Sequence, residues 1–330
     1  MKAAYIEKTG PASNIIYGDL PTPEPSGREV LVKVGAAALN PIDTYIRGGA
    51  NYWDLPLPFI GGCDLAGIVQ IAAAEASRFA VGDRVWGSNQ SLLGRQGTFA
   101  EYAVVDECWL YPTPQEVSDE EAAAVSLVGI TAHLGLFREA KLQPGETIFV
   151  NGGSGAVGST VVQMAKAIGA KVVATAGSAE KLKACAQLGA DRVINYKTAN
   201  VARDTLEFVP DGVHVYWETT REPDFVRAVE LLAQRGRMVL MAGRDARPEF
   251  PVGPFYVKGC SLHGFVMFAA TPEEQRTCAE DINRWMVEGQ LRPRIDRVLP
   301  LSDLAAAHRL QEESTVNQSG AVSGKIVIKP

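Results

Sequence analysis

Cysteine is sparse and unpatterned in this sequence. The five residues, Cys63, Cys108, Cys185, Cys260 and Cys278, are scattered, odd in number and include no Cys-x-x-Cys pair. Neither a disulfide framework nor a cysteine-rich zinc site follows from such spacing. A basic excess is also missing: the formal net charge is −6, which argues against a protein that grips a nucleic-acid backbone. The start, Met-Lys-Ala-Ala-Tyr-Ile-Glu-Lys, has no apolar signal-peptide core. The most membrane-like run, 121–137, is interrupted by Thr131 and His133 and is rich in small residues, so it reads as a buried helix and not a span. The expectation is a soluble protein of a reducing, cytoplasmic setting, with neither a membrane nor nucleic acid as partner. Its length of 330 residues makes two domains the default.

What the sequence does contain is a glycine cluster in a telling place. In Thr147–Gly158, the apolar run Ile148-Phe149-Val150 leads into Gly153, Gly155 and Gly158, spaced G-x-G-x-x-G. Val157, Val161, Met164, Ala165 and Ile168 then recur at helical spacing up to Gly169. A strand, a glycine turn and a helix in that order form the fingerprint of a dinucleotide fold. On this reading Gly153 makes the tight turn and Gly155 lets a pyrophosphate approach the backbone. Gly158 brings the helix close to the strand, and the helix start offers N–H groups and partial positive charge to phosphate.

The N-terminal half reads as irregular antiparallel β structure. Strand-like pieces are 2–7, a half-buried strand through Val30, Val32 and Val34, then 66–71, 83–86 and 98–105. Ser118 with Glu121 forms a capping-box pattern ahead of an Ala-rich helix. From Thr147 on, strands are predicted at 147–151, 171–176, 192–196, 213–218, 237–242 and 260–266, with helices at 156–168, 179–188 and 222–235. Gly169, Gly189 and Gly236 are placed as helix C-terminal caps. The fold class is α/β: a doubly wound parallel sheet at 121–267 plus a mostly antiparallel β domain. The tail has a helix at 272–288, a strand near 295–299, a helix capped by Ser302 and a last strand at 324–328. It is too small to bury a core and is expected to complete the N-terminal domain, which would then comprise 1–120 and 268–330.

The end of the second strand, Ala174-Thr175-Ala176-Gly177-Ser178, carries no carboxylate for ribose hydroxyls. Ser178 reads as a helix cap, and Glu180 as a first-turn acid that complements the helix dipole. Ser178 and Lys181 offer a hydroxyl and a cation to a 2′-phosphate, and Tyr196 ends the third strand nearby. NADPH is the expected cofactor.

The whole chain resembles the medium-chain dehydrogenase/reductase superfamily, and most closely its zinc-free quinone oxidoreductase (zeta-crystallin-like) branch. The residues that carry the likeness are Asn40-Pro41-Ile42-Asp43-Thr44-Tyr45-Ile46-Arg47, Gly62-Cys63-Asp64-Leu65-Ala66-Gly67, Val81–Val85, Thr98–Tyr102, Val193–Tyr196 and Gly324-Lys325. The resemblance implies a Rossmann-type domain joined to a GroES-like domain and a cofactor site built from several segments. Asn40, Tyr45 and Thr131 belong at the nicotinamide end. Gly153, Ser154, Gly155, Ala156, Val157 and Gly158 belong at the pyrophosphate. Gly177, Ser178, Lys181 and Tyr196 surround the 2′-phosphate, while Gly243, Arg244, Phe265, Val266 and Met267 line the nicotinamide slot. Lys325 is counted among the cofactor contacts. It also implies that no zinc is bound: the positions of the catalytic zinc ligands in zinc alcohol dehydrogenases correspond to Asn40, Cys63 and about Leu127, and one thiol cannot hold the metal. The stretch Glu218-Thr219-Thr220-Arg221 departs from the small, glycine-containing turn common there.

The implied activity is NADPH-dependent reduction of quinones or activated alkenes such as enones and alkenals, with the acceptor in a dry cleft between the domains. Tyr45 is placed to hydrogen-bond the substrate oxygen and Asn40 to orient nicotinamide or substrate, both as positioning groups. Alternatives are an enoyl-thioester reductase on the same scaffold and a non-catalytic NADPH-binding protein. His133, His214, His263 and His308 are read as structural. The sixth strand is expected at a sheet edge, where relatives pair across a two-fold axis. A homodimer, or a dimer of dimers, follows.

Overall fold

A computed structural model describes residues 1–50, 53–317 and 319–330. Two compact units emerge. One comprises Met1–Leu127, Thr271–Val287 and Pro293–Pro330; the other comprises Val128–Ala270 and Glu288–Arg292.

In the second unit six strands form one sheet. They are β1 (Thr147–Asn151), β2 (Lys171–Ala176), β3 (Arg192–Asn195), β4 (Val213–Glu218), β5 (Leu232–Leu240) and β6 (Ser261–Gly264). Their order is β3-β2-β1-β4-β5-β6, and every neighbouring pair is parallel. This is the doubly wound order, whose ligand crevice lies beyond the carboxyl ends of β1 and β4, where the winding reverses. All five residues of β1 are buried, which is why its middle is uniformly apolar. Phe149 pairs with Tyr216 across β1 and β4, and their rings stack with centroids 4.8 Å apart. Such a pair contributes about 0.5–1.5 kcal/mol beyond its burial. Helix α1 (Ala156–Ala167) buries Val161, Val162, Met164 and Ala165, and Gly169 follows it at φ +82°.

Several boundaries in this sheet differ from the sequence reading. The helix predicted at 222–235 spans only Phe225–Leu231. Leu232 turns extended to pair with Val213, so both leucines reach the core while the chain joins β5. Tertiary pairing overrides helical propensity there. Gly236 therefore lies inside β5 and caps nothing, and the positive φ falls on Arg235, at +60°. β6 stops at Gly264, and Met267–Ala269 forms a 3-10 turn.

In the first unit the last strand of the chain, Lys325–Lys329, pairs antiparallel with Glu29–Leu39, which pairs in turn with Asp64–Ala72. The tail thereby adds Ile326 and Ile328 to a core containing Val30, Val32, Leu39, Leu65, Phe99 and Leu110. Glu29–Leu39 is not half-buried as its alternation suggested. Irregularities at Leu31/Val32 and Val34/Ala36 break the period of two, and Val30, Leu31 and Val32 are all buried. Ser118 and Glu121 cap the helix Asp119–His133 reciprocally, each side chain accepting the other's backbone N–H at 3.2 and 3.1 Å. With its π-helical extension that segment, Asp119–Glu139, is long and apolar enough to cross a membrane, but 78% of its apolar window is buried in the fold, as in a core helix. Ser302 does not cap the late helix: it sits in the 3-10 turn Leu301–Asp303, and Asp303 precedes Leu304–Thr315.

Candidate functional site

The glycine turn after β1 divides its tasks differently from the motif reading. Gly152, outside the G-x-G-x-x-G pattern, carries the positive φ of +83° and makes the tight turn assigned above to Gly153. Gly153 serves close packing: a Cβ there would stand 2.8 Å from the Ala174 side chain on β2. A Cβ on Gly158 would overlap the Gly152 carbonyl oxygen, so this glycine lets α1 begin against the turn. Gly155 is exposed, and a Cβ on it would meet only the Gly152 oxygen at 3.5 Å. It precedes α1 and offers no side-chain oxygen to the helix start. The first-turn N–H groups, at Ala156, Val157 and Gly158, thus lack a side-chain cap, and the space before them is open. A dinucleotide pyrophosphate fits those donors.

At the tip of β2, Ser178 is the helix cap expected: its Oγ accepts the Lys181 N–H at 3.3 Å. Glu180 is in the first turn and exposed. Tyr196 follows β3, half-exposed at 52%, with its backbone N–H donating to Ala176 O at 3.3 Å. Its hydroxyl occupies the space a Gly177 side chain would need. Gly177, Ser178 and Tyr196 thus lie together, Lys181 joins them through its backbone N–H, and the strand end adds no carboxylate.

Beyond β5 and β6 the placements are looser. Gly243 turns at φ +85°, and Arg244 is exposed beside Asp245, 3.7 Å away. Phe265 meets Trp217 edge-on at 6.4 Å, Val266 is exposed and Met267 buried. Thr131 is buried on its helix.

Sequence reasoning missed the polar residues that close these strands. Asn151 ends β1, Thr175 lies near the end of β2 and Glu218 ends β4; all three are buried and hydrogen-bonded together. The available signal was a polar residue closing each of three apolar runs.

The first unit has its own buried polar cluster. Lys325, Asn40 and Asp64 stand at the ends of three adjacent strands, and the register that pairs Ile326 with Leu39 and Asp64 with Ala38 brings them together. Lys325 Nζ donates to Asn40 Oδ1 at 2.5 Å and lies 3.4 Å from Asp64 Oδ2. Asn40 Nδ2 donates to the same Asp64 oxygen at 2.8 Å, and Ser88 Oγ and the Leu127 N–H donate to the other, at 2.8 and 3.1 Å. Burial raises the Asp64 carboxyl, and the Lys325 ammonium and Asn40 amide oppose that rise. Both ends of the Asn40 amide are taken up inside this unit, and Lys325 is buried. Asn40 and Lys325, both expected near the cofactor, are bonded to each other here. Tyr45 is half-buried on the helix Pro41–Arg47. Asp43, on the same helix, accepts the Asn40 N–H at 2.8 Å.

The histidines sit in structural roles. His308 accepts from Arg47 Nε at 3.3 Å, and burial with the Arg47 charge pushes its pKa down to about 3. His214 accepts the Thr147 N–H, His263 shares a bond with Ser261, and His133 meets Phe137 edge-on.

Comparison with known proteins fits both units. Residues 26–115 match the alcohol dehydrogenase GroES-like domain, and residues 156–284 the family described as zinc-binding dehydrogenase. The human (Homo sapiens) quinone oxidoreductase is 32% identical over 330 residues, which cover 99% of this chain and 97% of that protein. The chain belongs to the quinone oxidoreductase family of the medium-chain dehydrogenase/reductase superfamily. It is an oxidoreductase. A tomato (Solanum lycopersicum) 2-methylene-furan-3-one reductase is 31% identical over 96% of this chain and 75% of its own length. Among solved structures, an NAD-dependent alcohol dehydrogenase has a TM-score of 0.90 at 32% identity, with both chains covered completely. The Escherichia coli quinone oxidoreductase complexed with NADPH has a TM-score of 0.86 at 26% identity, again with both chains covered completely.

Membership of this family makes the zinc positions specific. Among the described residues no three His, Cys, Asp or Glu side chains cluster to hold a metal ion. Asn40 Oδ1 faces an ammonium, and Leu127 contributes only its backbone N–H. Cys63 is buried 3.4 Å from Ser91 Oγ, and burial beside Asp43 and Asp64 holds its thiol well above the ordinary range. Of these three positions only Cys63 carries a side chain of the kind a catalytic zinc takes.

Proposed function

We propose that this chain is an NADPH-dependent, zinc-independent reductase of quinones and of activated alkenes such as enones. The observation that carries the reading is the uncapped start of α1 behind an exposed Gly155, beside a β2 tip with hydroxyl, ammonium and phenol groups and no carboxylate. Bound NADPH supplies a hydride. The chain's residues hold and orient it: Ser154, Ala156 and Val157 with Gly155 at the pyrophosphate, and Ser178, Lys181 and Tyr196 at the 2′-phosphate. Thr131, Gly243, Arg244 and Phe265 to Met267 serve the nicotinamide end. Tyr45 supplies a hydroxyl to the acceptor oxygen. With no side-chain set suited to a Lewis-acid metal among the described residues, the acceptors favoured are those already electron-poor. The human relative is named for quinones and the tomato relative for an exocyclic enone, which supports both classes. Burial of Asn40 moves it from substrate contact to the frame that holds the Pro41–Arg47 helix. A homodimer built on β6 and a cytoplasmic location complete the proposal.

The test is NADPH oxidation in the presence of a chelator, with quinones, enones and simple ketones offered in turn. Turnover with the first two and none with ketones is expected. Ketone reduction that requires added zinc would contradict the reading.

A further inference from the structure

Glu218, which ends β4, is completely buried at the point where the sheet's winding reverses. Asn151 Nδ2 donates to both Glu218 carboxylate oxygens, at 2.9 and 3.1 Å, and the Thr220 N–H donates to Oε1 at 2.8 Å. At its other end the Asn151 amide accepts: Thr175 Oγ1 donates to Oδ1 at 2.9 Å. The Thr175 hydroxyl oxygen then accepts the Gly152 N–H at 2.9 Å, and the Thr175 carbonyl accepts the Gly153 N–H at 2.9 Å. Thr219 Oγ1, next to Glu218, donates to the Asn151 carbonyl at 2.5 Å. One chain of hydrogen bonds thus runs from β4 through β1 to β2 and ends on the glycine turn.

The direction of that chain follows from the carboxylate. Burial raises the Glu218 carboxyl, and the N–H groups of Thr220 and Asn151 oppose that rise; in its ionised form the group only accepts, so Asn151 presents its NH2 to Glu218 and its oxygen to Thr175, as the distances show. Thr175 must then donate its proton to Asn151, which leaves its oxygen for Gly152. A carboxylate at one end selects one of the two possible amide orientations and so directs the Thr175 proton to Asn151, which turns the hydroxyl lone pairs to the Gly152 N–H. Two N–H donors converge on Glu218, which is what a buried carboxylate needs in place of water.

We infer that Glu218 is a positioning residue for the cofactor-binding turn: through Asn151 and Thr175 it holds the Gly152 N–H, and so presets the turn that leads to Gly155 and α1. This rests on the proposed NADPH site at that turn. Fixing the turn before binding spares the ordering cost at the moment of binding.

The experiment combines two readouts on Glu218→Met, Glu218→Gln, Thr175→Val and the Glu218→Met/Thr175→Val double variant. The first is amide hydrogen exchange of peptides covering 150–156 in protein without cofactor. The second is the NADPH dissociation constant by fluorescence titration. Glu218→Met and Thr175→Val keep side-chain volume but cut the relay at its two ends. Each is expected to speed exchange at 150–156 selectively and to weaken NADPH binding about tenfold, the worth of one hydrogen bond. The double variant is expected to lose no more than the worse single one, because both break the same chain. Glu218→Gln keeps an oxygen for the two donors that meet at Oε1 but sets an NH2 against the Asn151 NH2 in place of the second oxygen, and is expected to fall between wild type and Glu218→Met in both readouts. Losses that multiply in the double variant, or exchange that rises evenly over the whole sheet, overturn the inference. Wild-type protein without NADPH affinity would sink the cofactor reading alone, and the exchange measurement would still decide the relay.

Discussion

Gly155 and Gly158 lie one helical turn apart, yet a side chain would meet open space at one and a backbone carbonyl at the other. Gly155→Val is therefore expected to keep the thermal midpoint within a few degrees of wild type and to abolish NADPH binding. Gly158→Ala is expected to lower the midpoint clearly, because overpacking against backbone costs about 1–3 kcal/mol. Calorimetry on both variants checks the contrast. Asp43 gives a pH signature at the same scale. Burial lifts its carboxyl from 3.8 to about 7, with the Asn40 N–H opposing and the Asp64 charge adding to the rise. Its Oδ1 meets no hydrogen-bond partner among the described residues. Below pH 3.8 folded and unfolded chains both carry the proton; between 3.8 and about 7 the folded chain alone keeps it. Stability contributed by this group is present at low pH and is lost as pH rises through that window, by up to about 4 kcal/mol for three units. Asp43→Asn removes the titration. The stability of wild type minus that of the variant should fall between pH 4 and 7 and stay level above, as followed by urea denaturation.

At the scale of strands and helices, both units place buried polar residues at the ends of neighbouring apolar strands. In the first unit, Lys325→Met leaves Asp64 buried without its cation and is expected to cost about 3–5 kcal/mol. Adding Asp64→Asn should recover most of that loss in denaturant titrations; two independent, additive losses would show that the pair is not coupled. These clusters explain what was and was not legible in the sequence. The apolar runs of β1, β2 and β4 with their flanking glycines fixed those strands to the residue, because full burial demands them. Ser178 and the Ser118–Glu121 box were legible because caps act over three residues. Glu218, Asn151 and Thr175 meet only through strand pairing over separations of 24 and 67 residues, which no local spacing encodes. The same holds for Asn40 and Lys325, 285 residues apart, whose mutual bond no local spacing announces. The helix end at Leu231 and the tight turn at Gly152 were misplaced for a related reason. β5 pairing set the first, and the second depended on a conformation that the glycine spacing left open among three residues.

For the whole molecule, the edge position of β6 carries the assembly prediction. Leu262 on β6, Val266 just after it, and Val252, Tyr256 and Val257 on the preceding short helix are exposed. Light scattering is expected to give twice the chain mass, and Leu262→Asp to shift it toward one chain; a monomeric wild type would refute the dimer. The cofactor is the central claim. On the proposed reading Ser178, Lys181 and Tyr196 at the β2 tip receive a doubly charged phosphate, and a charge-assisted bond there would be worth about 1.5–3 kcal/mol. The most direct measurement is the dissociation constant of NADPH and of NADH for wild type and for Lys181→Ala. Tighter NADPH binding by wild type is expected, with a loss of about ten- to a hundredfold in the variant and almost no change for NADH. Tighter NADH binding by wild type, or equal losses for both cofactors, would contradict it.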